Sequence, residues 1–236
     1  MEQQEQINVL TDPSQVTADW LSNVLGEAVA GFEISLRESN WSKGATIRAV
    51  LADGSERALW LKICLGATFG RSEVDYYLKD YLAVPNPPLV RCYGGCYEVG
   101  IGYHLLLEDL SQDFSDRKLA HPTLEHGLAL ATALARLHVP YWESAEPPEP
   151  SAWERYFKQI ESGLRPIERA TGIAMEARYR IHAEALVKRW RDPKGMTLLH
   201  GDLNPTNVLT PKDSAEPVFF LDRQPFEWSL TYGLAV

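Results

Sequence analysis

Cysteine is scarce in this sequence: Cys64, Cys92 and Cys96 are the only three in 236 residues. An odd count in a chain of this length argues against a disulfide framework. Cys92 and Cys96 lack the second Cys or His pair that a zinc site needs. Both alternate with apolar neighbours, so they read as small buried hydrophobes. Basic residues are also in short supply. Lys and Arg number 23 against 32 Asp and Glu, giving a net charge of -9 and a pI near 5.2. That balance argues against non-specific nucleic-acid binding and suits a cationic or neutral small substrate, although solubility is the simpler account. No apolar run reaches membrane-spanning length. The opening Met1-Glu2-Gln3-Gln4-Glu5 has neither the cationic nor the apolar region of a signal peptide. The cytoplasm is therefore the expected setting, with no nucleic-acid and no membrane partner. The remainder is ordinary for a globular protein, at 45% hydrophobic and 23% charged residues. The length suits one domain or two small lobes with a sizeable core.

Asp12-Pro13 opens a helix expected over 14–25, with Val16, Trp20, Leu21 and Val24 as its apolar stripe and Gly26 as its stop. Strand patterns follow. Phe32, Ile34 and Leu36 alternate with polar residues, 45–51 reads as a second strand, Asp53-Gly54 is a hairpin turn, and 57–65 reads as a third. Between the first two strands, Ser42, Lys43, Gly44, Ala45 and Thr46 form an expected loop whose backbone N–H groups could face an anion. With one Gly, it reads equally as an ordinary hairpin loop. Lys62 stands in the apolar run 59–65. It either snorkels to solvent from an edge strand or points into a cleft at a phosphate. A helix is expected over 72–82, with a Ser72/Asp75 capping box and Val74, Tyr77, Leu78 and Tyr81 on one face. Glu73 borders that face, within reach of an inward-pointing Lys62; alternatively it only complements the helix dipole. Pro85, Pro87 and Pro88 stop this helix. Strands over 89–98 and 103–107 complete a five-stranded antiparallel sheet. The acidic patch Glu108, Asp109, Asp113 and Asp116 starts a linker. Beyond Pro122 the pattern turns helical, over 124–138, 151–164 and 175–190, with His138 as a capping or core residue and a proline-rich loop at 146–150.

The segment 197–209 stands apart. Leu198 and Leu199 end a short buried strand, a polar loop carries His200, Asp202 and Asn207, and Val208-Leu209 resumes a strand pattern. Asp202 and Asn207 have four residues between them, the spacing at which protein kinases place a catalytic Asp and a magnesium-holding Asn. A polar turn is the plain alternative. The strand 218–221 ends at Asp222, a carboxylate that needs a metal, Arg223 or solvent as partner. Asp202, Asn207 and Asp222 together would gather oxygen donors suited to magnesium.

These residues resemble the aminoglycoside phosphotransferase family and its choline-kinase-like and ecdysteroid-kinase-like relatives. His200-Gly201-Asp202-Leu203-Asn204-Pro205-Thr206-Asn207 is similar to that family's His-Gly-Asp-(four residues)-Asn motif. Leu221-Asp222-Arg223-Gln224 is similar to its Ile-Asp-Trp/Phe-Gln segment, with Arg223 in place of the usual aromatic residue. Lys62 and the Glu73 helix resemble the nucleotide-clamping pair, and Leu134-Ala135-Arg136-Leu137-His138 resembles a helix ahead of the catalytic loop.

The resemblance implies an α+β, protein-kinase-like two-lobed fold. Residues 1–110 would form the nucleotide-binding N-lobe and 111–236 a mainly helical C-lobe, carrying the catalytic loop 198–209 and the metal strand 217–222. It implies Mg2+-dependent transfer of the γ-phosphate of ATP or GTP to a small-molecule hydroxyl. Asp202 would act on the acceptor, and Asn207 and Asp222 would hold the metal. Lys62, positioned by Glu73, would bind phosphates covered by Ser42, Lys43, Gly44 and Thr46. The segment around Glu108 to Leu110 would hold the base. Relatives of this kind continue past a point equivalent to Val236, so the sequence reads either as a shortened form or as one completed by a partner or by domain swapping. A catalytically impaired kinase-fold protein, binding nucleotide or acting as a scaffold, is the competing reading.

Overall fold

The chain turns twice before its first strand. In the computed structural model, which describes residues 8–38, 41–116, 121, 123–143, 150–172, 179, 181–182, 185, 195–224 and 232–234, the single helix expected over 14–25 is split. Asp12 Oδ1 accepts the Ser14 N–H at 3.0 Å while Gln15 Oε1 accepts the Asp12 N–H at 2.9 Å, closing a capping box on a single turn, Pro13–Gln15. Val16 is extended, and Thr17 then caps α1 (Ala18–Leu25) through the Trp20 N–H.

The next elements are β1 (Val29–Glu38), β2 (Lys43–Leu51), β3 (Glu56–Leu65), α2 (Ser72–Asp75), β4 (Cys92–Glu98) and β5 (Gly102–Glu108). The strands form the expected antiparallel sheet in the order β1-β2-β3-β5-β4. Its two faces differ. Leu59, Leu61, Ile63, Ala45, Ile47, Ala49 and Leu106 turn one way and pack with Leu10, Val16 and Leu21 beneath α1. Burying each large aliphatic residue here stabilises the lobe by about 1.5–3 kcal/mol. By the two-residue period of a strand, Lys62 lies on the other face.

α2 differs from the expected regular helix. It runs into a widened turn, Tyr76–Asp80, with i→i+5 bonding. Glu73, Tyr76, Tyr77 and Tyr81 along this helix and turn are all buried. Tyr76 meets Tyr77 and Tyr81 edge to face at 5.2 and 5.4 Å. The Ser72/Asp75 capping box is not formed. Arg71 stands at the N-cap, and its Nε bonds the Asp75 carboxylate at 3.0 Å, which takes up the group the cap required.

After the sheet come β6 (Phe114–Asp116), α3 (Leu124–His138), α4 (Pro150–Thr171), β7 (Met196–Leu198), β8 (Val208–Pro211), β9 (Phe219–Phe220) and β10 (Tyr232–Leu234). The acidic segment read as a linker contributes a strand. β6, β8 and β9 form a small sheet in the order β6-β8-β9, held by the Phe114–Phe219 ring contact at 5.4 Å and by Lys212 Nζ donating to the Ser111 carbonyl at 3.0 Å. Cys92 and Cys96 are half-buried rather than buried.

Two compact units emerge. The first comprises 1–136 and 200–229, the second 137–199 and 230–236. Within the second, β7 pairs antiparallel with β10, and Thr197 Oγ1 donates to the His138 carbonyl at 2.6 Å. The His138 side chain makes no capping hydrogen bond and is half-buried, so it is neither the cap nor the fully buried core residue expected. The expected loop at 146–149, most of the expected helix over 175–190 and most of the run after Trp228 lie outside the described residues.

Candidate active site

Asp202, Asn207, Lys62, Glu73 and Asp222 all belong to the first unit. Lys62 sits at the middle of β3, opposite Gly44 on β2 and Leu105 on β5. Its ammonium donates to both Glu73 carboxylate oxygens at 2.8 Å and to Asp222 Oδ1 at 2.7 Å. Glu73 is fully buried and Lys62 is 7% exposed. The Tyr103 hydroxyl donates a short hydrogen bond to Glu73 Oε2. Burial alone would lower the Lys62 pKa; the facing carboxylates of Glu73 and Asp222 outweigh it and hold the pKa above its ordinary value. Lys62 does not snorkel: it is the charged centre of a buried cluster.

The 197–209 segment supplies the second half. Gly201 has φ +85°, a left-handed conformation that side-chain-bearing residues adopt at a cost, so the glycine of the His-Gly-Asp motif is dictated by the turn. Pro205–Asn207 is a single 3-10 turn, capped by Asn204 Oδ1 accepting the Thr206 N–H at 3.0 Å. Asn207 Nδ2 donates to the Asp202 carbonyl at 2.8 Å and to Asp202 Oδ2 at 3.2 Å. The Asn207 side chain thus fixes Asp202, whose own side chain is exposed. His200 Nε2 donates to the Leu221 carbonyl at 2.6 Å, which leaves Nδ1 as an acceptor, facing the Asp202 N–H at 3.4 Å. Burial holds the His200 pKa down at about 4, so the ring is neutral at pH 7 and supports the loop.

Asp222 lies two residues beyond β9, outside the strand expected to carry it, with φ +54°. The Leu221 N–H donates to the Asn207 carbonyl at 2.9 Å, which sets the two segments side by side. Asn207 Oδ1 and the half-exposed Asp222 carboxylate are oxygen donors on adjoining backbones. This donor set fits magnesium, which takes one or two protein oxygens and completes its shell with water and substrate phosphates. Among the described residues no three His, Cys, Asp or Glu side chains converge as a closed metal cage.

Comparison with known proteins bears on the fold. No protein-family model matches the sequence, and no curated protein sequence matches it. Among solved structures, an aminoglycoside-3'-phosphotransferase of type VIII is similar at 21% identity and a TM-score of 0.55, covering 88% of this chain and 76% of its own. The chain has the aminoglycoside phosphotransferase fold. A fructosamine-3-kinase homologue from Thermobifida fusca (17% identity, TM-score 0.47, 90% of this chain and 75% of its own) also matches. So does a thermostable mutant aminoglycoside phosphotransferase in ternary complex with ADP and hygromycin B (14%, TM-score 0.46, 92% and 72%). At those TM-scores the latter two add nothing to the fold assignment. No helix among the described residues is long and apolar enough to cross a membrane.

Within this fold the segment 43–46 needs correction. Lys43, Gly44, Ala45 and Thr46 are not a loop: they are the start of β2, paired with both β1 and β3. Strand alternation sends Lys43 away from Lys62, and its ammonium bonds Asp12 Oδ2 at 3.1 Å. Gly44 and Thr46 do share Lys62's face, and Ser42 lies just before the strand. Gly44 has a packing reason: a Cβ there would stand 2.8 Å from the Trp60 ring. The expected base-holding residues are partly engaged. The N–H groups of Glu108 and Asp109 donate to the Arg91 and Ala58 carbonyls at 2.8 and 3.0 Å. Glu108 and Leu110 also line a cavity of about 400 Å³ with Tyr77, Tyr81, Cys92 and Phe219. Neither Lys62 nor Asp202 lines it.

Three residues of the site were not singled out by sequence reasoning for these positions. Tyr103 and Trp60 lie on Lys62's face, opposite Cys64 and Thr46 respectively. Counting in twos from Lys62 finds Trp60; Tyr103 needs the β3–β5 register as well. Arg223 is the third.

Proposed function

We propose that this protein transfers the γ-phosphoryl group of ATP or GTP to a hydroxyl of a small molecule, with magnesium. The observation that carries the reading is the Lys62 ammonium held between Glu73 and Asp222. It lies on the sheet face shared by Gly44, Thr46 and Trp60, beside a loop in which Asn207 fixes Asp202. In this reading residues 1–110 are the nucleotide-binding lobe, and 111–236 the lobe with the catalytic loop and metal strand.

Lys62 would exchange its bond to Asp222 for the α- and β-phosphates while Glu73 keeps it in place. Ser42, Gly44 and Thr46 would border the phosphates, and Lys43 has no part. One row along β3, toward Glu108, the Trp60 indole would stack on the base. Leu110 N–H would meet the base edge, since the Glu108 and Asp109 N–H groups already donate elsewhere. Asn207 and Asp222 would hold magnesium, which when bound neutralises charge on the phosphates. Asp202, exposed and fixed in orientation, would align the acceptor hydroxyl and take its proton as the oxygen attacks phosphorus. Most of the rate enhancement in such a site comes from positioning and charge stabilisation.

The test is an ATP-consumption screen across aminoglycosides, amino alcohols, sugars and steroids, with and without EDTA, alongside Asp202→Ala. One acceptor class should give ADP release that both EDTA and the substitution abolish. Absence of nucleotide binding would overturn the proposal. Magnesium-dependent binding with no turnover on any acceptor would favour the nucleotide-binding module instead.

A further inference from the structure

The residue after Asp222 is a fully enclosed cation. The Arg223 side chain is 1% exposed; its Nη1 donates to Asp80 Oδ2 at 2.5 Å and reaches the Ser72 carbonyl at 3.5 Å. The guanidinium lies over the Tyr76 ring, 5.2 Å from its centroid. Ser72, Tyr76 and Asp80 all lie on α2 and its widened turn, which also carries Glu73. Three consecutive residues therefore bond three different elements. The Leu221 carbonyl holds His200, Asp222 holds Lys62, and Arg223 holds α2. The left-handed backbone at Asp222 helps to send these neighbouring side chains in different directions.

The contacts close into a ring: Asp222 to Lys62, Lys62 to Glu73, along the helix to Asp80, and Asp80 to Arg223. We infer that Arg223 is a positioning residue that locks α2 to the segment following β9, so that Lys62 is presented between Glu73 and Asp222 in one fixed geometry. An aromatic side chain in its place could pack on Tyr76 but could not bond Asp80. The charge-assisted Nη1–Asp80 bond, together with the guanidinium over the Tyr76 ring, ties the helix to the segment after β9. Tyr76, the first residue of the widened turn, is the ring under the guanidinium.

The inference rests on the phosphotransferase reading for its consequence, so the test separates the two. The first measurement uses ligand-free protein: the acylation rate of Lys62, read by peptide mass spectrometry, with exposed Lys43 as the internal reference. Arg223→Met should raise the Lys62 rate about tenfold relative to Lys43, as expected for loss of a coupled buried contact. Asp80→Asn should do the same, and Arg223→Lys should restore most of the protection. The second measurement is the nucleotide KM, which should rise in Arg223→Met while the acceptor KM is unchanged. A lower melting temperature with unaltered Lys62 reactivity would make Arg223 merely structural and overturn the inference, as would a silent Asp80→Asn. If Arg223→Met does not fold, the Asp80→Asn and Arg223→Lys rates decide. A wild-type protein that binds no nucleotide would sink the proposed function, and the Lys62 rates would still decide the lock.

Discussion

Replacing Lys62 by Met tests the centre of the site through stability rather than activity. The ammonium has 9% of its side-chain surface exposed and Glu73 has 1%, so the pair is shielded on both sides. Removing the cation leaves a fully buried carboxylate bonded to the Tyr103 hydroxyl. Breaking one side of a buried pair costs about 3–5 kcal/mol. For a protein of this size that is a fall of roughly 6–20 °C in melting temperature. Removing both charges with Lys62→Met/Glu73→Leu should recover a large part of the loss, because the main penalty is the orphaned carboxylate. pH supplies a second handle. In wild type, burial raises the Glu73 carboxyl above its ordinary 4.5 while Lys62 opposes it. Without the ammonium, the folded-state pKa rises further above the unfolded value. The variant's stability is then full below about pH 4.5 and is lost as pH rises through the raised pKa, at about 1.4 kcal/mol per unit. Urea unfolding at pH 5 and pH 8 should show the deficit against wild type widening at the higher pH. A deficit that does not change with pH, or a double variant no better than Lys62→Met, would refute the ion-pair reasoning.

Asp202→Ala should lower phosphoryl transfer by about 10²- to 10⁴-fold or more with nucleotide binding retained, read by ADP release and by equilibrium dialysis. Asp222→Asn should weaken the magnesium dependence of nucleotide binding, seen as a right-shifted magnesium titration; an unshifted curve would count against the metal assignment. Trp60→Ala should weaken nucleotide binding by about 1–3 kcal/mol, the usual worth of an aromatic–base stack, and abolish nucleotide-dependent quenching assigned to this indole. His104 and His200 are both buried, and burial holds each near pKa 4 against an ordinary 6.5. A depressed His contributes stability that is present above its unfolded pKa and lost as pH falls through the folded one. Each should therefore forfeit about 3 kcal/mol between pH 6.5 and 4, and His104→Leu should flatten the urea-midpoint dependence over that window.

The alternating strands and the Asp53-Gly54 turn were legible because they are local: a strand's two-residue period and a turn's backbone demand are written in adjacent residues. The errors were local features overridden from a distance. The stretch 43–46 looks like a polar loop because it holds Lys, Gly and Thr. It is a strand because β1 and β3 pair with it on both sides, and its glycine is needed by Trp60. Ser72 and Asp75 have capping-box spacing, yet Arg71 takes the carboxylate. Phe114 reads as one apolar residue in an acidic linker until Phe219, more than a hundred residues on, gives it a partner.

The site divides along the same line. Asp202 and Asn207 could be paired from spacing alone, since one tight turn joins them and Gly201 makes that turn possible. Lys62 and Asp222 could be named but not joined: 160 residues separate them, and their 2.7 Å contact is set by where the sheet and the β9 hairpin end. Arg223 is harder still. Next to a carboxylate, a cation reads as that carboxylate's partner, and sequence offered Arg223 for Asp222. The backbone at Asp222 separates their partners, so Asp222 takes Lys62 and Arg223 takes Asp80. Two adjacent opposite charges that each ignore the other bind two different elements in place of one another. That arrangement fixes the segment carrying Asp222 against the helix carrying Glu73, which a direct Asp222–Arg223 pair would not do.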